Sequence, residues 1–243
     1  MAMYQYIKAP PRRPRTSMPI VISWMLMTSG VMVLIWTIWP IISFVVLKQQ
    51  LLDKTISPIA DRPVAFRSVG DVLPASVTSP TVGGTVDSTN ANLWFPTSPQ
   101  KKVVAPVNSY QLSIPKLKIK NATVIIAGDD LNKSLVHYGG TGLPGQYGNA
   151  VIFGHSNLPQ FFSPTNYDSI FSLLPTLKVG DEIFVIYDGI TYRYVVYDMV
   201  VTKPTDLSVL EQRYDDSYLT LVTCVPPGTL WERLDVKARL AQL

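Results

Sequence analysis

Two patterns of apolar and polar positions divide this chain. Residues 16–47 carry no charge and are apolar on every side, with Pro19, Gly30 and Pro40 as the breakers within 18–47. Such a run suits one helix across a bilayer, which needs ~20 apolar residues. From residue 110 onward short apolar and β-branched runs alternate with turn residues instead. They predict strands at 110–114, 122–126, 150–154, 182–187, 191–201, 218–224 and 232–240. Asp188-Gly189 between two such runs predicts a hairpin, and Gly180-Asp181 another turn. Helix is expected only at 129–135, with acids in its first turn, and at 166–173, after Pro164. Many short strands punctuated by turns predict an all-β sandwich or closed barrel.

Between these parts the pattern fails. Residues 48–109 hold seven prolines among Ser, Thr, Val and Gly. Proline at that spacing prevents regular helix or central strand. Residues 78–92 contain almost no large apolar side chain and can bury little. Leu93-Trp94-Phe95 breaks the trend, and an aromatic pair there is expected to pack on the folded domain. The expected layout is a basic tail at 1–17, a membrane helix at 18–47, a stalk at 48–109 and a β-domain at 110–243.

Charge sets the direction of the anchor. The 243 residues carry a net +4, and residues 1–17 supply all of it through Lys8, Arg12, Arg13 and Arg15 without an acid. The rest of the chain is neutral and has no basic patch interleaved with aromatics, so no nucleic-acid partner is expected. The positive-inside rule places the tail in the cytoplasm and everything after about residue 50 outside, a single-pass protein of the cell membrane. A cleaved signal is a poorer reading, because its apolar core spans only ~7–15 residues.

Cys224 is the one cysteine, so no internal disulfide exists. It ends a strand-like run and precedes Val225-Pro226-Pro227-Gly228, where a loop exposes reactive groups. A buried, inert cysteine fits the same position. His155 also ends an apolar strand, whereas His137 lies in a Gly-rich stretch with no strand to aim it. One Cys and one placed His allow a nucleophile pair; two His and one Cys are too few for a persuasive structural zinc site. Arg233 follows Cys224 by nine residues across the Pro-Pro-Gly loop, close enough to return beside it as an oxyanion stabiliser. It also alternates with Leu234, Val236 and Ala238 as one charge of a solvated face would.

Four segments then resemble sortases. Thr220-Leu-Val-Thr-Cys224 looks like their TLxTC signature, and Gly148-Asn-Ala-Val-Ile-Phe-Gly-His155-Ser156 resembles their GN-x4-GHS element. Arg233-Leu-Asp-Val236 resembles the RLxV strand, and His137-Tyr-Gly-Gly-Thr-Gly-Leu-Pro-Gly145 the HYxGTxLPG stretch. The resemblance implies a closed eight-stranded β-barrel with short helices and a cysteine transpeptidase. It assigns Cys224 as nucleophile, His155 as proton donor and acceptor, and Arg233 as the group on the threonine carbonyl. His137 is expected to be structural. The implied substrates are surface proteins with an LPxTG-like C-terminal sorting signal, cleaved after Thr. The implied acceptor is an amine from a peptidoglycan precursor or a pilin lysine.

The short Cys224-to-Arg233 spacing looks more like class D or E than class A or B. No cofactor or metal is expected. Asp181-Glu182 and Asp215-Asp216 are calcium candidates by composition alone and read better as solvated turn acids. Nothing matches the SHGC-type motif of L,D-transpeptidases. The remaining alternative is a non-catalytic, membrane-tethered β-domain that binds surface polymer.

Overall fold

The computed structural model describes residues 18–52, 89–95, 98–101 and 107–241. The expected basic tail and most of the expected stalk lie outside the described residues.

Helix α1 spans Met18–Leu52. Its stretch Ile20–Ser43, 24 residues, is long and apolar enough to cross a membrane. Trp24, Leu26, Trp36 and Trp39 are exposed around it, and a helix apolar on all sides is suited to lipid. Thr28 Oγ1 donates to the Met25 carbonyl at 3.0 Å and Thr37 Oγ1 to the Leu34 carbonyl at 3.0 Å, so both hydroxyls are satisfied within the helix.

The second unit is a closed barrel of eight strands. They are β1 Ser109–Ile114, β2 Ile119–Ile126, β3 Leu135–His137, β4 Gly148–Phe153, β5 Glu182–Tyr187, β6 Ile190–Thr202, β7 Ser217–Val225 and β8 Glu232–Leu240. Around the barrel the order is β1-β2-β3-β4-β7-β8-β6-β5, and β5 closes on β1. The β2–β3 and β4–β7 pairs are parallel and the others antiparallel. Asp188 and Gly189 both take positive φ in the β5–β6 turn, as a tight hairpin between right-twisted strands requires.

Strand alternation sorts side chains into two cores. Leu219 and Leu221 of β7, Leu234, Val236 and Ala238 of β8, and Ala150 and Ile152 of β4 fill the barrel. Val222 and Cys224 of β7 and Val151 and Phe153 of β4 point outward into a second cluster, with Ala91, Trp94 and Phe95 from upstream and Val209 from the β6–β7 connection.

Two expectations need correction. Residues 129–135 form turns leading into β3 rather than a helix, because Asp130 caps the turn onto Asn132 N and Leu135 is drawn into the barrel against Val124. Residues 166–173 are likewise turns, with Asn166 Oδ1 accepting from Asp168 N and helical geometry limited to Leu174–Thr176. Asp and Asn side chains here compete for backbone N–H groups that a helix would otherwise use. Trp94 and Phe95, upstream of residue 110, are buried against the barrel, as expected of that aromatic pair.

Candidate active site

The outward cluster surrounds Cys224. β8 returns antiparallel so that Cys224 and Arg233 face each other across the β7–β8 ladder. Arg233 Nη1 donates to Cys224 Sγ at 3.1 Å. The solvated-face reading of the β8 charges therefore fails where it matters: Arg233 is 7% exposed and Asp235 1%, although Arg239 near the other end of the strand is exposed.

His155 is aimed by a set of bonds to β7. Gly154 N donates to the Val222 carbonyl at 3.1 Å, Thr223 Oγ1 to the Gly154 carbonyl at 2.8 Å, and Ser156 Oγ to the Cys224 carbonyl at 2.6 Å. These bonds flank His155 on both sides and fix the end of β4 beside the cysteine end of β7. Gly154 permits the approach, since a Cβ there would overlap the side chains of Phe171 and Leu135. The half-buried His155 ring lies 6.2 Å, centroid to centroid, from Trp94.

Trp94 covers the group. Its ring stands 4.4 Å from the Arg233 guanidinium carbon and packs edge-on to Phe153 at 5.2 Å. The segment carrying it is tied down on both sides. Ala91 N donates to the Asp129 carbonyl at 2.9 Å and Leu131 N to the Thr89 carbonyl at 2.9 Å. Further on, Lys101 N donates to the Gly139 carbonyl at 3.1 Å, and Tyr138 OH bonds the Ser98 carbonyl. Under this cover Cys224 is 2% exposed. Burial pushes its thiol pKa up, and the Arg233 charge opposes that shift without cancelling it.

His137 lies elsewhere, on β3. Its Nδ1 is 2.7 Å from Tyr110 OH and its Nε2 3.1 Å from Thr141 Oγ1. Burial pulls its pKa down to about 4, which keeps it neutral. The His-Tyr-Gly-Gly-Thr stretch is thus a structural brace, consistent with the expected role of His137.

Three contributors carried no assigned role in the sequence. Asn149 Oδ1 accepts from Thr220 at 2.8 Å and its Nδ2 donates to the Val209 carbonyl at 3.1 Å. Gln212 Oε1 accepts from Gly142 N at 3.1 Å and Asn149 N at 3.0 Å, so together they fasten the β6–β7 connection over the outer face. Asp235 is the third, and burial pushes its carboxyl up to about 6 against the hydrogen bond from Thr202 and the pull of Lys237. The Gly148-Asn149 dipeptide was the one visible signal for this fastening.

Among the described residues no three His, Cys, Asp or Glu side chains are grouped to hold a metal. Asp181 pairs with Lys116 at 2.6 Å, Asp215 with Arg213 at 2.7 Å, and Asp216 with Arg239.

A closed mixed barrel sets a thiol, an imidazole and a guanidinium at neighbouring strand ends. The sortase domain model matches residues 112–241, and the chain belongs to the sortase family. It is 30% identical over 122 residues to sortase D of Bacillus subtilis (strain 168), covering 47% of this chain and 53% of that protein. The chain thus spans about half the length of that relative. Among solved structures, the Clostridium perfringens sortase D5 transpeptidase is 28% identical over 58% of this chain and 83% of its own, with a TM-score of 0.48. Sortase C-1 from Actinomyces oris is 29% identical over 58% and 76%, with a TM-score of 0.49. The class D relative is consistent with the class D/E-like character expected from the loop spacing.

Proposed function

We propose that this sortase is a membrane-anchored cysteine transpeptidase acting outside the cell on proteins with an LPxTG-like C-terminal signal. The observation that carries the reading is the 3.1 Å contact from Arg233 Nη1 to Cys224 Sγ, at a strand end stitched to the one that bears His155. Cys224 Sγ, as thiolate, attacks the carbonyl carbon of the bond after threonine. Arg233, already directed at the sulfur, donates to the oxyanion that forms beside it. The C–N bond breaks, the leaving amine takes a proton from His155, and a thioester remains on Cys224. An incoming amine loses its proton to His155, attacks the thioester and releases the thiolate. The acceptor is an amine of a peptidoglycan precursor or a pilin lysine, with water as a slower competitor.

The anchor has a role in this reading. Helix α1 anchors the chain in the same membrane that would hold the apolar tail of a sorting-signal substrate. The basic tail places residues 1–17 in the cytoplasm. Incubation of the full chain in detergent with an LPxTG-like peptide, followed by mass spectrometry, is the direct test. A thioacyl adduct on Cys224 is expected; an adduct on another residue, or none at a thiol that iodoacetamide still alkylates, refutes the reading.

A further inference from the structure

Charge is unevenly placed on the barrel. Beyond residue 17 the chain is net neutral, and Lys133, Arg193, Arg213 and Arg239 each pair with an acid. Two adjacent turns break that balance. The β1–β2 turn sends Leu117 and Ile119 inward and leaves Lys116, Lys118 and Lys120 exposed. The turn before β5 exposes Lys178 and Val179, the latter by 69%. Lys116 Nζ meets Asp181 Oδ2 at 2.6 Å and joins the two turns. The same oxygen accepts from Lys178 N at 2.5 Å, and Glu182 beside it is held by Arg193 at 2.9 Å. Among the described residues Lys118, Lys120 and Lys178 form no ion pair, with Asp168 or any other acid. The barrel itself has no use for these choices. Lys118 takes φ 58, a left-handed conformation that glycine or asparagine adopts at less cost. Val179 buries little, where a polar residue would suit a solvated turn.

The ladder fixes where this patch lies. β2 runs parallel to β3, β3 antiparallel to β4, and β4 parallel to β7. The start of β2 is therefore at the barrel end where β4 and β7 finish, the end that carries His155 and Cys224. β5 starts at that end too, since Ser113 near the end of β1 pairs with Phe184. The lysines stand on the flank of β1, β2 and β5, and the thiol on the flank of β4, β7 and β8. On the thiol flank the β7–β8 loop exposes Leu230 and Trp231. The opposite end has no such cluster: Asp188 lies in the β5–β6 turn, and Asp215 and Asp216 pair with Arg213 and Arg239. Unpaired lysines with an exposed Val, Leu and Trp are the residue types that seat on a bilayer, ammonium groups at lipid phosphates and apolar tips in the headgroup layer.

We propose that the thiol end of the barrel docks on anionic lipid headgroups of the membrane that holds α1, through Lys118, Lys120 and Lys178 around Val179. The inference rests on the anchored reading above and deepens it: a sorting signal held by its own apolar tail would meet Cys224 at the lipid surface rather than in bulk solvent. Each lysine near an anionic surface strengthens attachment about fivefold, and salt weakens it.

The test uses the full chain reconstituted in vesicles of phosphatidylcholine alone or mixed with phosphatidylglycerol. A chain with Cys224→Ala and Val179→Cys carries an environment-sensitive fluorophore on its one thiol, and lipid-borne nitroxides quench the label where it reaches the headgroups. Quenching is expected in the mixed vesicles and lost on raising salt, with little in phosphatidylcholine alone. Lys118→Glu with Lys120→Glu should lower the docked-to-free ratio about 30-fold or more. The same label on Ile190→Cys, at the opposite end, should stay unquenched in both. Quenching at 179 that ignores lipid charge and the lysine substitutions overturns the inference, as does none in either mixture while the chain floats with the vesicles. Shielding of the label by soluble polyglycerol phosphate, without quenching in the mixed vesicles, assigns the patch to an anionic polymer and overturns it as well. In chains that retain Cys224, the double substitution should leave thioacylation of a soluble LPxTG-like peptide unchanged and slow that of the same peptide on a lipid anchor. Quenching as expected with neither peptide acylated refutes the transpeptidase reading alone, and a chain that does not float with vesicles removes the anchored reading and this inference together.

Discussion

Leu221 and Val222 are neighbours in the chain and end in different cores. Leu221 faces the barrel interior, where strands meet through alternate apolar side chains and the buried Tyr110–His137 pair is held neutral. Val222 faces outward, into a cluster closed by Trp94 and Phe95 from upstream and by Val209 from the β6–β7 connection. Among the described residues the two buried side chains that carry charge, Arg233 and Asp235, both belong to the outer side. The interior is the cheap place to bury area. The outer face holds desolvated polar groups that the fold alone does not need, which is what a site looks like energetically.

Breaking the outer face should abolish chemistry without unfolding the barrel. Cys224→Ala is expected to remove all thioacyl product and to melt within ~1 kcal/mol of wild type, a small change for a modest truncation. His155→Ala should slow acyl transfer by ~10²–10⁴, the usual worth of proton transfer. Arg233→Lys should slow it by ~10²–10³, since the ammonium loses the planar fork that reaches sulfur and carbonyl together. Breaking the interior should do the reverse. Leu221→Ala is expected to cost ~2–5 kcal/mol in denaturant unfolding, while folded protein keeps its iodoacetamide reactivity at Cys224.

pH sharpens the contrast, because burial displaces the pKa of His137 and of Asp235 and the signs of their contributions oppose. His137 titrates near 4 in the fold and near 6.5 when unfolded, so its contribution is present above 6.5 and lost as pH falls toward 4. Asp235 titrates near 6 in the fold and near 3.8 unfolded, so its contribution is present below 3.8 and lost as pH rises through 6. Each is worth about 3 kcal/mol over its window. Between pH 4 and 6 the two nearly cancel. Asp235→Asn should therefore expose a slope, with stability falling as pH drops from 6.5 to 4, and His137→Gln the opposite slope. Parallel urea melts at pH 4, 5, 6 and 7 check this, and an unchanged profile in Asp235→Asn would remove Asp235 from the account.

The smallest effect concerns the cover. Trp94→Leu removes the ring face over Arg233 at a cost of ~0.5–2 kcal/mol. It should also lower the Cys224 pKa, since less burial leaves the Arg233 charge less opposed. Trp94→Phe should keep most of both properties. Iodoacetamide rate against pH reads the shift directly.

Much of the barrel was legible because its signals are local. The bounds of β5 and β8 follow from the sequence, since Asp188-Gly189 and the charged-apolar alternation after Trp231 involve only near neighbours. β3 was missed because three residues are too few to show a period, and they form a strand only by pairing with β2 and β4. Residues 129–135 had helix-like composition, but side-chain caps and the pull of Leu135 into the core outweighed it.

Sequence by itself determined an apolar segment long enough for a membrane, a strand-rich domain and the identity of the thiol, the imidazole and the guanidinium that the domain brings together. Tertiary structure alone decided which side of β8 is dry. The alternation of Arg233, Asp235, Lys237 and Arg239 reads as a solvated edge, because period two shows which residues share a face and not what will cover it. The cover comes from Trp94, more than a hundred residues upstream, and from the connection between β6 and β7. Burial by such distant segments is a property of the closed chain, and it turns a row of ordinary surface charges into a desolvated arginine beside a thiol and a buried carboxylate.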